Sequence, residues 1–145
     1  MTAAEPNSPC PCFSGRKYKR CCAPLHRGAS ATSPESLMRS RYAAYALALV
    51  DYIIGTTHPA GPHYEDDVLR WRNQLAEFSL KTHFEGLEVT AEEEGPLQSW
   101  VSFRANLKQG EHDASFAERS LFVRHQGRWL YHSGDRLPLR PPAAP

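Results

Sequence analysis

Past residue 22 this 145-residue chain has no cysteine, and its longest apolar run is the nine residues 42–50. The first absence excludes a disulfide framework for the body, so its core must be built by burial. The second excludes a membrane-spanning helix, which needs about 20 apolar residues. The opening residues lack a basic stretch followed by an apolar one, so no signal peptide is expected, and the protein is expected to be soluble and cytoplasmic. A glycine-rich phosphate loop, a nucleophile elbow and internal repeats are also missing. What remains is about one domain's worth of chain, with 41% hydrophobic residues to fill it.

All four cysteines fall within thirteen residues, as Cys10, Cys12, Cys21 and Cys22. Four thiols in one short loop suit a structural zinc ion, which takes four thiolates at about 2.3 Å and supplies folding energy that so short a segment cannot get from burial. Disulfides across Cys10 and Cys12, or across Cys21 and Cys22, would close small strained rings. A reactive thiol cluster is the remaining alternative. Because four thiolates complete the coordination, the expected role is structural, and zinc storage or delivery is disfavoured. His26, four residues past Cys22, is a weaker substitute ligand and is read as exposed.

The net charge of +1 hides an asymmetry. Residues 1–41 carry seven Lys and Arg against Glu5 and Glu35, a net of +5, while the rest carries ten against fourteen acids, a net of −4. Arg16, Lys17, Lys19 and Arg20 surround Tyr18. Such a loop fits an acidic protein surface, and also acidic lipid or nucleic acid. The plainer reading is a solvated loop whose charge keeps the thiols ionised.

The hydrophobic period sets the layout. Residues 23–33 read as a small polar linker. Ser33-Pro34-Glu35 reads as a helix start, and Leu37, Met38, Arg41, Tyr42, Tyr45 and Leu49 recur on one helical face. A short second helix follows, with Asp51 as its N-cap, and a third carries Val68, Trp71, Leu75 and Phe78. From Leu80 the period becomes two, with Val101, Phe103, Ala105 and Leu107 on one strand face and a hairpin turn at Gln126-Gly127. Three helices followed by four antiparallel strands predict an α+β fold with helices on one face of a curved sheet.

The run Cys10-Pro11-Cys12, Ser14-Gly15, Tyr18 and Cys21-Cys22 resembles the SEC-C zinc motif found at the C terminus of the SecA translocase ATPase; Phe13 stands where glycine is usual. Residues 37–45, Asp51-Tyr52, Thr57-His58-Pro59, Glu118-Arg119-Ser120 and Gly127-Arg128-Trp129 are similar to the YchJ-like family of bacterial proteins. The resemblance implies a SEC-C knuckle joined to a cone-shaped domain of the nuclear-transport-factor-2-like (NTF2-like) fold. The expected division is a knuckle over residues 1–26, a linker over 27–33, the cone over 34–136 and a disordered proline-rich tail over 137–145. In SecA the finger is implicated in contact with the SecB chaperone and with acidic phospholipid. The resemblance therefore implies an interaction module contacting an acidic partner.

The alternative is a small-molecule enzyme of the proton-transfer isomerase, dehydratase or hydrolase type, using the cone as a pocket. Asp51, His58 and Glu118 are its candidate proton-transfer residues, and Tyr42, Tyr45, Trp71, Trp129 and Tyr131 its candidate walls. Glu118 could instead form a structural pair with Arg41 or Arg104, and the remaining histidines read as scattered surface residues. The cone is also expected to dimerise or hold a ligand.

Overall fold

A computed structural model describes residues 4–139. Four helices, α1 (Ala23–His26), α2 (Pro34–Leu47), α3 (Val50–Gly55) and α4 (Val68–Lys81), precede five strands. The strands are β1 (His83–Glu93), β2 (Gln98–Gln109), β3 (His112–Asp113), β4 (Phe116–His125) and β5 (Arg128–Leu137). They form one antiparallel sheet in the order β1-β2-β4-β5, with the two-residue β3 paired to β2. The expected α+β layout is the one observed. Of the tail read over residues 137–145, Leu137 closes β5 and residues 140–145 lie outside the described range.

Local chemistry explains most boundaries. Ser33 caps α2 through a hydrogen bond from the Ser36 backbone N–H, and the Ser36 hydroxyl answers by accepting from the Ser33 N–H. Helix α2 stops at Ala48, which takes a left-handed conformation (φ 55°) without being glycine. That break sends Leu49 into the N-cap position of α3 and leaves Asp51 inside the first turn. Asp51 is therefore not the cap; it is exposed and pairs with Arg72 of α4. The hairpin at Gln126-Gly127 is as expected, with both residues at positive φ and His125 paired to Arg128.

The helices cover one face of the sheet. Val101, Phe103, Ala105 and Leu107 of β2 point into a core with Leu37, Met38 and Tyr42 of α2 and Phe122 of β4. Each large side chain buried in this layer contributes roughly 1.5–3 kcal/mol. A bulge in β5 places Leu121 opposite Ser133 but Phe122 opposite Tyr131, so His132 is the extra residue. The bulge resets the alternation, and Trp129, Tyr131, Gly134 and Arg136 all fall on the inner face, opposite Arg124, Phe122, Ser120 and Glu118. The loop after α3 is sewn to β5 at the same place: His58 N–H donates to Tyr131 O (2.7 Å) and Tyr131 N–H to Thr56 O (2.8 Å).

Candidate metal centre and the cavity behind it

The knuckle is a small hairpin closed by sulfur. Pro9 and Lys17 bridge, Cys10 N–H donates to Arg16 O (2.8 Å), and Tyr18 N–H to Ser8 O (2.9 Å). This fold gathers the Sγ atoms of Cys10, Cys12, Cys21 and Cys22 within 4.8 Å of one another. Among the described residues they are the one group of His, Cys, Asp or Glu whose ligand atoms converge in this way. Cys12 and Cys21 sulfurs are 3.5 Å apart and Cys21 and Cys22 3.9 Å, beside the roughly 3.8 Å between thiolates that each sit about 2.3 Å from a tetrahedral ion. All four are free thiols. The donor set can hold a metal ion.

Crowding splits the acidities of these thiols. Hydrogen bonds from Cys10 and Cys22 hold Cys12 far below the usual thiol range, while sharing with Cys12 pushes Cys10 up to about 12. Cys22 is pushed upward by its hydrogen bonds to Cys10 and Cys12 and by burial. Left to themselves, neighbouring sulfurs share protons rather than ionise together, which is the behaviour expected of ligands gathered for one cation.

Phe13 sits at the tip with φ 61°, a conformation that strains any residue with a Cβ, which explains why glycine suits this position. Its ring meets Tyr42 edge-on at 6.1 Å. Phe13→Gly is expected to be more stable than Phe13→Ala by about 1 kcal/mol, since both lose the ring and only alanine keeps the strain. Urea unfolding of the two variants checks this.

The knuckle is docked, not tethered. Cys10, Cys12 and Cys22 are 4%, 0% and 2% exposed and pack with Ala43 on α2. Arg39 Nη1 donates to Cys12 O (3.1 Å). The segment read as a linker begins with the helix α1, whose His26 faces Ser40 O through Nε2 (2.8 Å) and the Tyr18 hydroxyl through Nδ1 (2.6 Å). The Ser40 carbonyl can only accept, so Nε2 carries the proton and Nδ1 accepts from Tyr18. His26 is thus neither a ligand nor exposed: it bolts the knuckle to α2. Tyr18, read as part of a contact surface, is turned inward by the same bond. Arg16, Lys17, Lys19 and Arg20 stay exposed, and Arg16 Nη2 donates to Arg20 O (2.6 Å), drawing the ends of the loop together.

Behind the knuckle lies a cavity of about 490 Å³ between the helices and the sheet. Tyr42, Tyr45, Trp71 and Tyr131 line it, together with Glu118. Trp129 does not: it is buried in the core, with the Arg124 guanidinium over its ring, 4.5 Å from the centroid. Glu118 shares the inner face with its register partner Phe103, whereas Arg104, one residue along β2, belongs to the other face. Its Oε2 accepts from the Ser120 (2.5 Å) and Tyr131 (3.1 Å) hydroxyls, and its Oε1 lies 3.9 Å from Arg136 Nε. The salt-bridge partner is therefore Arg136, and not Arg41 or Arg104. Burial and then the charge of Glu118 hold the Tyr131 phenol protonated, well above its usual range.

The three candidate proton-transfer residues do not meet. Asp51 is on the surface with Arg72, and His58 lies beside His125 and His132, at ring separations of 4.8 and 5.2 Å. Burial and those two imidazoles hold His58 below the ordinary histidine range. Sequence spacing missed this histidine group, because three separate loops and strands bring it together. It also missed Arg41, a cavity-lining residue whose signal was a cation inside the apolar stripe of α2.

Residues 33–134 match the family described as "YchJ, middle NTF2-like domain", and residues 7–24 match the SEC-C motif. A UPF0225 protein of Deinococcus radiodurans is 43% identical over 129 residues, covering 87% of this chain and 88% of that one. One from Pectobacterium carotovorum is 38% identical over 131 residues, covering 86% and 81%. The solution structure of a SEC-C motif containing protein from Rhodopseudomonas palustris superposes with a TM-score of 0.75 at 36% identity, over 90% of this chain and all of that one. The crystal structure of another, from Psychrobacter arcticus, gives 0.74 at 27% identity, over 88% and 82%.

Proposed function

The chain belongs to the YchJ-like (UPF0225) family, an NTF2-like domain with a SEC-C knuckle, and from that premise we propose a zinc-stapled interaction module that presents a basic face to an acidic protein. The observation that carries this reading is the arrangement of the knuckle: its underside is docked on α2 and its sulfurs converge, while four cations are exposed on the outside. Cys10, Cys12, Cys21 and Cys22 would hold the ion. Zinc is the metal that four thiolates in a closed site favour, and there it supplies folding energy rather than a reactive position. A reducing, cytoplasmic setting keeps such thiols available.

The exposed Phe13 tip beside Arg16, Lys17, Lys19 and Arg20 gives the face an apolar point within a cationic rim. Metal-loaded protein is expected to be retained on immobilised poly-glutamate, and less so as salt rises. Lys17→Glu with Lys19→Glu is expected to abolish that retention while leaving the unfolding midpoint unchanged. Anionic vesicles and duplex DNA serve as comparison surfaces. Retention that survives both the charge reversal and high salt, or that is stronger on either comparison surface, defeats the acidic-protein reading.

A further inference from the structure

We infer that the cavity between the helices and the sheet is a binding site for a small carboxylic acid with an aromatic or branched apolar body, anchored on Arg41. Arg41 is 8% exposed and lines the cavity. All its hydrogen bonds leave through one nitrogen: Nη1 donates to Ile53 O (3.0 Å), Thr56 Oγ1 (2.7 Å) and Thr57 Oγ1 (3.2 Å). The Tyr131 ring covers the guanidinium, with Cζ 4.7 Å from its centroid. Nε and Nη2 have no hydrogen-bond partner among the described residues, and none of the ion pairs there includes Arg41.

A buried charge without a counter-ion is costly, and a guanidinium cannot escape by losing its proton. Neither carboxylate on the cavity lining, Glu65 or Glu118, forms an ion pair with Arg41. Glu118 is already held by the Ser120 and Tyr131 hydroxyls and by Arg136, and Tyr131 separates it from Arg41, presenting its ring face to one and its hydroxyl to the other. The cation lacking an anion is therefore Arg41, which selects an anionic ligand over an amine. Two adjacent guanidinium nitrogens match the two oxygens of a carboxylate. Trp71, Phe78, Phe84, Phe103 and Phe116 give the cavity apolar walls, with Glu65, Gln74 and Arg136 also on its lining, and a volume of about 490 Å³ is within the usual range for small-ligand sites.

Calorimetric titration of the full metal-loaded chain with phenylacetate, benzoate and isovalerate tests this, with phenethylamine as the cationic counterpart. At least one acid is expected to bind, the amine is not, and Arg41→Lys is expected to weaken the acid about tenfold or more, because lysine cannot make the paired contact. Where Arg41→Lys does not fold, amide shifts in the native chain decide: perturbation at Thr57, Ser120, Phe122 and Tyr131 supports the site, and perturbation confined to the knuckle overturns it. Failure of all three acids, equal or tighter binding of the amine, or undiminished binding by a folded Arg41→Lys also overturns it. This outcome is read separately from that of the basic knuckle face, because Lys17 and Lys19 do not line the cavity.

Discussion

If the four thiols hold zinc as proposed, a chelator is expected to unfold the whole chain in one transition, and Cys12→Ser is expected to do so without one. Cys12 is fully buried, its sulfur is 3.5 Å from that of Cys21, and its carbonyl accepts from Arg39 on α2. Cys10 and Cys22 share its cluster with Ala43, in the middle of the helix that also supplies Leu37, Met38 and Tyr42 to the main core. Loss of the sulfur cluster therefore exposes one side of α2, and releases the bonds by which His26 holds Tyr18 and Ser40. Structural zinc contributes about 10–16 kcal/mol in isolated fingers. A typical domain has about 5–15 kcal/mol of stability in all. Even a fraction of such a contribution would decide whether this chain folds. The check is metal content per chain beside urea unfolding, with and without chelator. A metal-free protein that keeps its midpoint, or that loses only the N-terminal signals, would show that the knuckle is an appendage.

The sequence was most readable where chemistry is local. Cysteine spacing pointed to the sulfur cluster, Ser33-Pro34 to the start of α2, and the alternation from Val101 to Leu107 to the inner face of β2. It was least readable where depth or parity depends on distant contacts. Ala48 ends a helix in a conformation that glycine usually takes, so nothing marked the break that displaced Asp51 from the cap. The bulge at His132 resets the alternation of β5, so spacing alone could not show which of its residues join the inner face. Periodicity placed Trp129 and Tyr131 together, yet one fills the core and the other walls the cavity. Arg41 was visible as a cation in an apolar stripe, but its meaning needed the three oxygens around Nη1.

Gly134→Ala is expected to destabilise the protein by about 2–4 kcal/mol, and Glu118→Ala in the same chain to remove most of that loss. Gly134 lies opposite Ser120 on the inner face, two residues from Arg136, the register partner of Glu118. A Cβ at Gly134 would sit 2.7 Å from Glu118 Cγ and closer still to its Cδ and Oε2. The carboxylate could swing aside, since it ends a flexible side chain. Doing so would break its bonds from the Ser120 and Tyr131 hydroxyls, each worth about 1.5–3 kcal/mol to a charged acceptor. Glu118 is also 12% exposed, so the displaced charge would have little water to receive it. The two substitutions should therefore couple: relative to Glu118→Ala alone, adding Gly134→Ala should cost under about 1 kcal/mol. Glu118→Gln keeps the crowding and should not rescue. Equal penalties from Gly134→Ala in the presence and absence of the carboxylate would mean that the glycine serves the bulged strand itself, and not the buried acid beside it.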